Sequence, residues 1–469
     1  LNGSDGDSAA LALRQGAFGA QQRLRGGEEQ AILEASVDIR GTELVVTLRD
    51  SGEPVGSPPE GVLALLGAGL LTAADVRTDG RSNISEVRLP LPSHHTVLDA
   101  GDLQVVPEDA APSTDDVQLR PLRADDAAAL TRAIYRTYGW SYPNHSLYYP
   151  DRIAAAIASG QRVGEVAIAP DGEIAAHWGA VMVSPGVAET GTTVTDPRFR
   201  RRGLAGQLGV RLLERLINDG VRARLREPVL THPATQHIAL SEGATMVGAY
   251  LNYTMPYQQV GITDGVMAQR GSLCIAFSAL TPLQPADLWV PKPYESFVSS
   301  ILTAASWPRT LRTATPTAEA PSTSTITTEF DADNKLAIAD VHLVGRDLVD
   351  AISATLDDMR RTGAEFIAIR LPACQPATAT HGAGLTELGV SFAAYLPEFR
   401  PPTAEDRGDV VVAQWLADPV VDPSDWSFTT PEVEQLVTAI VEQAAEVGTR
   451  TGRRQRRAAQ RASLLAALD

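Results

Sequence analysis

The sequence has very little cysteine and no long apolar segment. Only Cys274 and Cys374 occur among 469 residues. Each stands alone, which excludes a disulfide framework and a CxxC metal site but leaves one disulfide open. No apolar run approaches the roughly 18 residues of a membrane-spanning helix. The first residues, LNGSDGDSAALALRQ, lack a basic stretch followed by an apolar one, so no signal peptide is predicted. We expect a cytoplasmic protein; the chain begins with leucine, and the completeness of its N-terminus is left open.

Basic residues are also scarce. Lys plus Arg number 40 against 57 for Asp plus Glu, a net charge of −17. This balance argues against a general nucleic-acid partner, because phosphate contacts need a basic face. We expect no membrane partner and, since the histidines lack ligand spacing, no metal. A homodimer is left open.

The pattern along the chain predicts a multidomain α/β protein. Acidic and Pro-bearing or Ser/Thr/Pro-rich stretches mark the boundaries between segments with alternating strand and helix patterns. The predicted segments are an α/β domain at 1–98, a linker at 99–116, a second α/β domain at 117–258, a third at 259–425 with a flexible insert at 309–327, and a helical tail at 426–469.

Positive charge is concentrated in one stretch, VTDPRFRRRGLAGQLGVRLLERL (194–216). Arg200, Arg201 and Arg202 precede Gly203 at the start of an amphipathic helix with leucine at every fourth position. A helix N-terminus offers unpaired N–H groups and a partial positive charge, and small residues let an anion approach the backbone. The pattern therefore predicts a pyrophosphate site.

This stretch resembles motif A of the GNAT family of N-acetyltransferases, whose pattern is Gln/Arg-x-x-Gly-x-Gly/Ala. Here it reads Arg200 to Ala205 directly after a strand, and segment 117–258 has the element order of that fold. The resemblance implies a mixed sheet and acetyl-CoA, or another acyl-CoA, as the donor, with an amine as the acceptor. The residues it implies as cofactor ligands are Thr193, Val194 and Thr195 for the pantetheine arm, and Arg200, Arg201, Arg202, Gly203, Leu204, Ala205 and Gly206 for the phosphates.

Acetyl transfer needs a group that takes a proton from the amine. In GNAT relatives an acidic residue on the strand before motif A serves as the base, and Glu189 lies there; a substrate-orienting or solvated role is left open. The family's usual tyrosine acid, four residues before a glycine, is replaced by Ala239 before Gly243. Tyr250 and Tyr253 are expected to substitute, although strand alternation predicts that at least one only packs. His232 and His237 are the remaining candidates.

The flanking regions resemble eroded domains. LVVTLRDSGEPV (44–55), with Asp50 and Gly52, resembles the Asp-x-Gly box of anti-sigma-factor serine kinases, which have the histidine-kinase-type ATPase fold. The preceding stretch lacks the magnesium-binding asparagine of that family, so ATP binding is not expected. Region 259–425 repeats the element order of the second half of a GNAT domain without the RxxGxA motif, and PATQHIALSEGATMVGAYL (233–251) echoes PATATHGAGLTELGVSFAAYL (376–396). We interpret it as a degenerate, non-catalytic copy.

Three functions follow from these resemblances. The first is an acyl-CoA-dependent N-acyltransferase that acts by direct attack of the amine on the thioester. The second is a regulatory protein that binds acyl-CoA without turnover and engages a protein partner through its N-terminal domain. The third, an anti-sigma-type serine kinase, is disfavoured by the missing asparagine.

Overall fold

The computed structural model describes most of the chain as two compact units. The smaller unit comprises Leu1–Gln104 with Asn144–Ile153, and the larger one comprises Val105–Pro143 with Ala154–Asp469. The described residues are 33–40, 43–52, 54–67, 71–78, 82–90, 117–139, 141–258, 267–313, 320–403 and 406–466, the last sixteen of these as backbone only. The predicted linker at 99–116 and the helix predicted before residue 33 lie outside the described residues.

The described part of the smaller unit includes a four-stranded antiparallel sheet with a helix packed on it. Its sheet order is β1-β2-β4-β3. Valine and leucine side chains from β2, β4 and the helix, such as Val46, Leu89 and Val62, form its core. The elements are β1 Leu33–Arg40, β2 Glu43–Asp50, α1 Glu60–Gly67, β3 Ala73–Thr78 and β4 Asn83–Pro90.

The larger unit is built on one mixed sheet of twelve strands, and the chain as a whole is a multidomain α/β protein. A separate parallel pair, β12 and β13, lies outside this sheet. The strands are β5 Gln118–Pro121, β6 Arg162–Ile168, β7 Ile174–Ser184, β8 Val187–Thr195, β9 Ala223–Arg226, β10 Thr245–Thr254, β11 Gly271–Ala279, β12 Ala286–Leu288, β13 Arg309–Leu311, β14 Thr325–Asp331, β15 Leu336–Leu343, β16 Phe366–Pro372, β17 Ser391–Leu396 and β18 Val410–Leu416. The remaining described α-helices of the chain are α2 Ala127–Tyr138, α3 Pro150–Ala158 (of which Pro150–Ile153 belongs to the smaller unit), α4 Leu204–Asn218, α5 Ala234–Ser241, α6 Glu295–Ala305, α7 Leu348–Thr362, α8 Gly382–Glu387 and α9 Pro431–Ala466.

The order of the strands repeats within this sheet. The full order is β14-β15-β16-β18-β17-β10-β11-β9-β8-β7-β6-β5. In the first half, the parallel pair β8–β9 is followed, toward the middle of the sheet, by the antiparallel strands β11 and β10. In the second half, the parallel pair β15–β16 is followed, again toward the middle, by the antiparallel strands β18 and β17. A helix of 15 residues, α4 or α7, connects each parallel pair. The second half of the larger unit therefore has the topology of part of the first.

The two halves meet where β10 pairs with β17. Gly248 lies opposite Ala394 at this seam. Helix α9 packs on both strands, and its buried residues Val437 and Ile440 join the core beneath them. The segment predicted as a helical tail is thus a helix that covers the seam.

Local sequence explains the helix that follows β8. Leu204, Leu208, Leu212 and Leu216 of α4 are all buried, as their four-residue spacing predicts. Gly203 precedes the helix with φ +71°, a left-handed conformation that favours glycine.

Two parts of the structure differ from the segment pattern. Strand β11 begins beyond residue 258 yet lies between β9 and β10, so the predicted boundary falls inside the sheet. Within the predicted flexible insert, Arg309 belongs to β13 and its buried guanidinium donates to Asp409 (Nε to Oδ2, 2.6 Å). A buried ion pair fixes this part of the chain despite its Thr-rich composition. Among the described residues, no helix is long and apolar enough to cross a bilayer.

The seam leads to a prediction about stability. A Cβ atom at position 248 would lie 2.6 Å from Ala394 Cα and would also clash with the Ala393 carbonyl oxygen. Gly248→Ala is therefore expected to lower the free energy of unfolding by at least 1–3 kcal/mol, the usual cost of overpacking. Urea unfolding measures this. Gly206→Ala, in a helix with open space around it, is the control and should not destabilise; equal stability of Gly248→Ala and the native chain would contradict the packing described.

Candidate functional site

The candidate site lies where β8 and β9 separate. The two strands pair in parallel only from Val187–Ala223 to Glu189–Leu225. Beyond that point β8 continues to Thr195 and stays paired with β7 on its other side. Within the described sheet, the β9-facing edge of β8 from Thr190 onward therefore has no strand beside it. An exposed strand edge can hydrogen-bond an extended ligand.

This free edge leads directly into the predicted pyrophosphate site. A 3-10 turn, Pro197–Phe199, follows β8, and Asp196 caps it by accepting a hydrogen bond from the Arg198 amide (3.0 Å). The chain then passes through Arg201, with φ +62°, and Gly203 into α4. The first amides of a helix have no intrahelical acceptor. A Cβ atom at position 203 or 206 would meet no other group within 4 Å, so the space around this helix end is open.

The predicted cofactor residues contribute in different ways. Thr193 is exposed, whereas Val194 is buried and pairs with His177 of β7, and Thr195 pairs with Ala176. Leu204 is buried in the core under α4, so only its backbone faces the helix end. Arg201 and Gly206 are exposed, and Arg200, Arg202 and Ala205 are half-buried. The Arg202 guanidinium lies 5.7 Å from the centre of the Phe199 ring.

A bulge shapes β8 beside the separation. Thr192 has φ +52°, and the register with β7 shifts between His177 and Gly179. The fully buried His177 holds the bulge, because its Nδ1 lies 2.8 Å from the Thr192 carbonyl oxygen, which can only accept. Burial and the neighbouring Arg162 lower the pKa of His177 to about 3. This histidine is therefore neutral at physiological pH and is not a candidate proton acceptor from an ammonium group.

Two glutamates lie on one face of the sheet, beside the point where β8 and β9 separate. Glu189 of β8 is half-buried, and its Oε1 would lie 3.1 Å from a Cβ at Gly191, so its carboxylate leans toward the open end of the strand. Glu227 follows β9 on the same face, two residues after Leu225. Burial raises the pKa of Glu189, while Arg162 opposes this increase. Burial and the charge of Glu189 raise the pKa of Glu227 well above its usual range, against the charge of Arg370.

Tyr250 and Tyr253 both lie at this cluster. Their ring centres are 5.0 Å apart, and both contact Phe366 of β16, at 5.5 and 5.0 Å. Burial raises the pKa of both hydroxyls, and the negative charges of Glu227 and Glu189 raise them further. The expectation that at least one of these two tyrosines only packs stays a prediction. Asn252, with φ +48°, forms an irregularity in β10 between them, which brings both rings to one face.

Several residues of the cluster were not predicted from the sequence. Arg162 of β6 is buried and donates weakly to Thr192 Oγ1 (3.5 Å). Tyr142 hydrogen-bonds the Thr192 side chain, and burial raises its pKa. Arg370 comes from β16, in the second half. The one available signal for Arg370 is a single charged residue in the apolar strand FIAIRLP.

The other sequence candidates lie elsewhere. His237 is exposed on α5, and Ala239 is fully buried in the core. In the smaller unit, the buried Asp50 Oδ1 accepts hydrogen bonds from the Gly52 amide and from Asn83 Nδ2, each at 3.0 Å. Across the described part of the chain, no group of three or more potential metal ligands is found.

Comparison with known proteins gives structural matches but no sequence matches. No protein-family model matches the chain, and no curated protein matches it. Solved structures match about a third of it. An N-acetyltransferase from Staphylococcus aureus Mu50 has 15% identity over 36% of this chain and 100% of its own, with a TM-score of 0.29. The ribosomal-protein-S18-alanine N-acetyltransferase from Escherichia coli has 20% identity over 35% of this chain and 94% of its own, with a TM-score of 0.28.

A third match is a GNAT-superfamily phosphinothricin acetyltransferase from Sinorhizobium meliloti in complex with AcCoA. It has 16% identity over 35% of this chain and 88% of its own, with a TM-score of 0.29. With identities and TM-scores this low, a function for this chain has to be supported by the site itself.

The raised pKa of Glu227 leads to a prediction about pH. In the folded protein Glu227 keeps its proton to higher pH than in the unfolded chain, whose glutamates titrate near 4.5. The free energy of unfolding therefore falls as the pH rises from about 4.5 through the folded pKa. Glu227→Gln removes this loss, so the variant should be more stable than the native chain at pH 7 and above. Urea unfolding across pH 4–8 measures it.

The control for this experiment is Glu214→Gln, which makes the same chemical change at an exposed position on α4. It should leave the pH dependence as it is in the native chain. Parallel stability curves for Glu227→Gln and the native chain would contradict the burial of this carboxyl group.

Proposed function

We propose that the larger unit is an acyl-CoA-dependent N-acyltransferase of the GNAT type. One observation carries the proposal: the free edge of β8, from Thr190 to Thr195, is joined by a short turn, residues 196–203, to the glycine-preceded N-terminus of α4. A strand edge and a helix N-terminus in series suit a ligand with an amide-containing arm and a diphosphate. Acyl-CoA has both.

The donor would lie along this path. The diphosphate would accept hydrogen bonds from the first amides of α4, where Gly203 and Gly206 leave room for it. Arg200, Arg201 and Arg202 would add positive potential beside the phosphates. The pantetheine amides would pair with the edge of β8 near Thr193 and Thr195, and this places the thioester near Glu189.

The acceptor would approach from the face that carries Glu189 and Glu227. Glu189 would take one proton from the ammonium group, directly or through water, so that the amine nitrogen has a free electron pair. That pair attacks the thioester carbonyl carbon, the new C–N bond forms, and the C–S bond breaks as the sulfur takes the electron pair. The nitrogen then loses its extra proton, which the thiolate accepts. The raised pKa of Glu189 suits it to this task, because an ordinary glutamate is a weak base at neutral pH.

The leaving group needs little acid catalysis. A thiol has a pKa of about 8.5, so CoA can depart as a thiolate and take its proton later. We infer that the hydroxyls of Tyr250 and Tyr253, which burial keeps protonated, donate hydrogen bonds to the departing sulfur. Replacement of the family tyrosine by Ala239 is compatible with turnover on this account.

A second function is favoured by one observation. Ala239 is fully buried in the core, so the family's usual acid is absent from its position. A protein that binds acyl-CoA without turnover, and signals to a partner through the smaller unit, would not need that acid. Binding and turnover must therefore be measured separately.

The proposal predicts that Gly203→Glu abolishes acetyl-CoA binding. A glutamate there is strained at φ +71° and places a negative charge at the diphosphate position. Isothermal titration calorimetry should show at least about a tenfold loss in affinity. The control is Gly172→Glu, because Gly172 also has a left-handed φ, +84°, and open surroundings, but lies in the β6–β7 turn.

The same preparations are then mixed with acetyl-CoA and a panel of primary amines, and thiol release is followed. Catalysis is supported if the native chain releases thiol and the rate of release is about 100-fold or more lower in Glu189→Gln. Binding without thiol release supports the regulatory function instead. Absence of acetyl-CoA binding by the native chain would overturn the proposal.

A further inference from the structure

A second polar cluster lies on the opposite face of the sheet, under α4. Arg224 pairs with Ala188, which belongs to the core beneath α4, and Arg226 follows on the same face. Arg226 stacks on Trp178 of β7, with 4.6 Å from its guanidinium carbon to the ring centre. Arg224, Arg226 and Trp178 are 2%, 6% and 3% exposed, respectively. We call these three residues the β9 cluster.

The β9 cluster carries more positive than negative charge. Arg224 and Arg226 each place Nη2 at 2.6 Å from the same oxygen, Oε2 of Glu242. Among the described residues no other carboxylate forms an ion pair with either guanidinium. Two buried cations thus share one anion. Burial and the charge of Arg224 lower the pKa of Arg226 to about 10, which leaves it charged at neutral pH.

The cluster also holds donors that lack acceptors. The buried Nε of Arg224, Nε of Arg226 and Nε1 of Trp178 have no hydrogen-bond partner in the described part of the chain. All three groups can only donate. A buried donor without an acceptor is unfavourable, and an excess buried charge is more so. An oxyanion would satisfy both the donors and the charge.

The position of the cluster indicates where this oxyanion comes from. Ala188, beside Arg224, precedes Thr195 at the end of β8 by seven residues, which is about 23 Å of extended strand. The donor phosphates, at the α4 N-terminus, would lie at the far end of that distance. A pantetheine arm along β8 would instead bring the acyl group toward Arg226, which lies one residue past the last β8–β9 pair.

We propose that the β9 cluster binds a carboxylate at the end of the acyl chain, so that the preferred donor is the CoA thioester of a dicarboxylic acid. This inference rests on the proposed function and specifies its donor. The acyl carboxylate lies on the α4 face, and the amine attacks from the face of Glu189.

Calorimetry with succinyl-CoA and acetyl-CoA tests the inference without knowledge of the acceptor. The native chain should bind succinyl-CoA about 10- to 100-fold more tightly, the usual worth of charged hydrogen bonds in a buried site. Arg226→Met, which keeps most of the packing on Trp178, should reduce this ratio to near one while acetyl-CoA affinity changes little. Arg226→Lys should keep part of the preference. Arg361→Met, at an exposed position on α7, is the matched control.

Each outcome separates the two proposals. Equal affinity for both thioesters in the native chain overturns the oxyanion site and leaves the transferase proposal intact. A preference for succinyl-CoA that Arg226→Met does not reduce also overturns the site, since the carboxylate would then bind elsewhere. If neither thioester binds, the transferase proposal itself fails. If Arg226→Met does not fold, equal affinity of the native chain for both thioesters still overturns the site, and Arg226→Lys tests whether a preference depends on this side chain.

Discussion

The short parallel pairing of β8 with β9 is the constraint on which the rest of the site depends. The strands are held together for three residue pairs and then separate, because β8 bulges at Thr192 while β9 ends at Arg226. The separation frees a strand edge. The helix N-terminus after β8, the glutamates on one face of the sheet and the arginines on the other all lie beside this point.

The site draws on both halves of the larger unit. The repeat of strand order joins the halves edge to edge through Gly248 and Ala394, so that the second half continues the same sheet. Phe366 and Arg370 of β16 thereby come into the surroundings of Tyr250, Tyr253 and Glu227. The second half lacks the arginine–glycine motif, but it still contributes the Phe366 ring and the positive charge of Arg370 to the candidate site.

Local features of the site could be predicted from the sequence, and distant ones could not. The leucine spacing of α4 and the glycine before it depend on neighbours within a few residues. Glu227, Arg162 and Arg370 escaped prediction because they meet only through strand order, which one sequence does not show. Strand alternation did not indicate that Tyr250 and Tyr253 share one face, because alternation assumes a regular backbone and Asn252, with its positive φ, interrupts it. The predicted roles of Glu189, Tyr250 and Tyr253 stay predictions.

The central claim is that acyl-CoA occupies the free edge of β8 and the N-terminus of α4. Hydrogen–deuterium exchange with and without acetyl-CoA tests it most directly, since bound amides are protected. The account predicts slower exchange in residues 190–195 and 203–207, with little change in β14 and β15 of the second half. Acetyl-CoA binding that leaves these two segments unprotected would contradict the account.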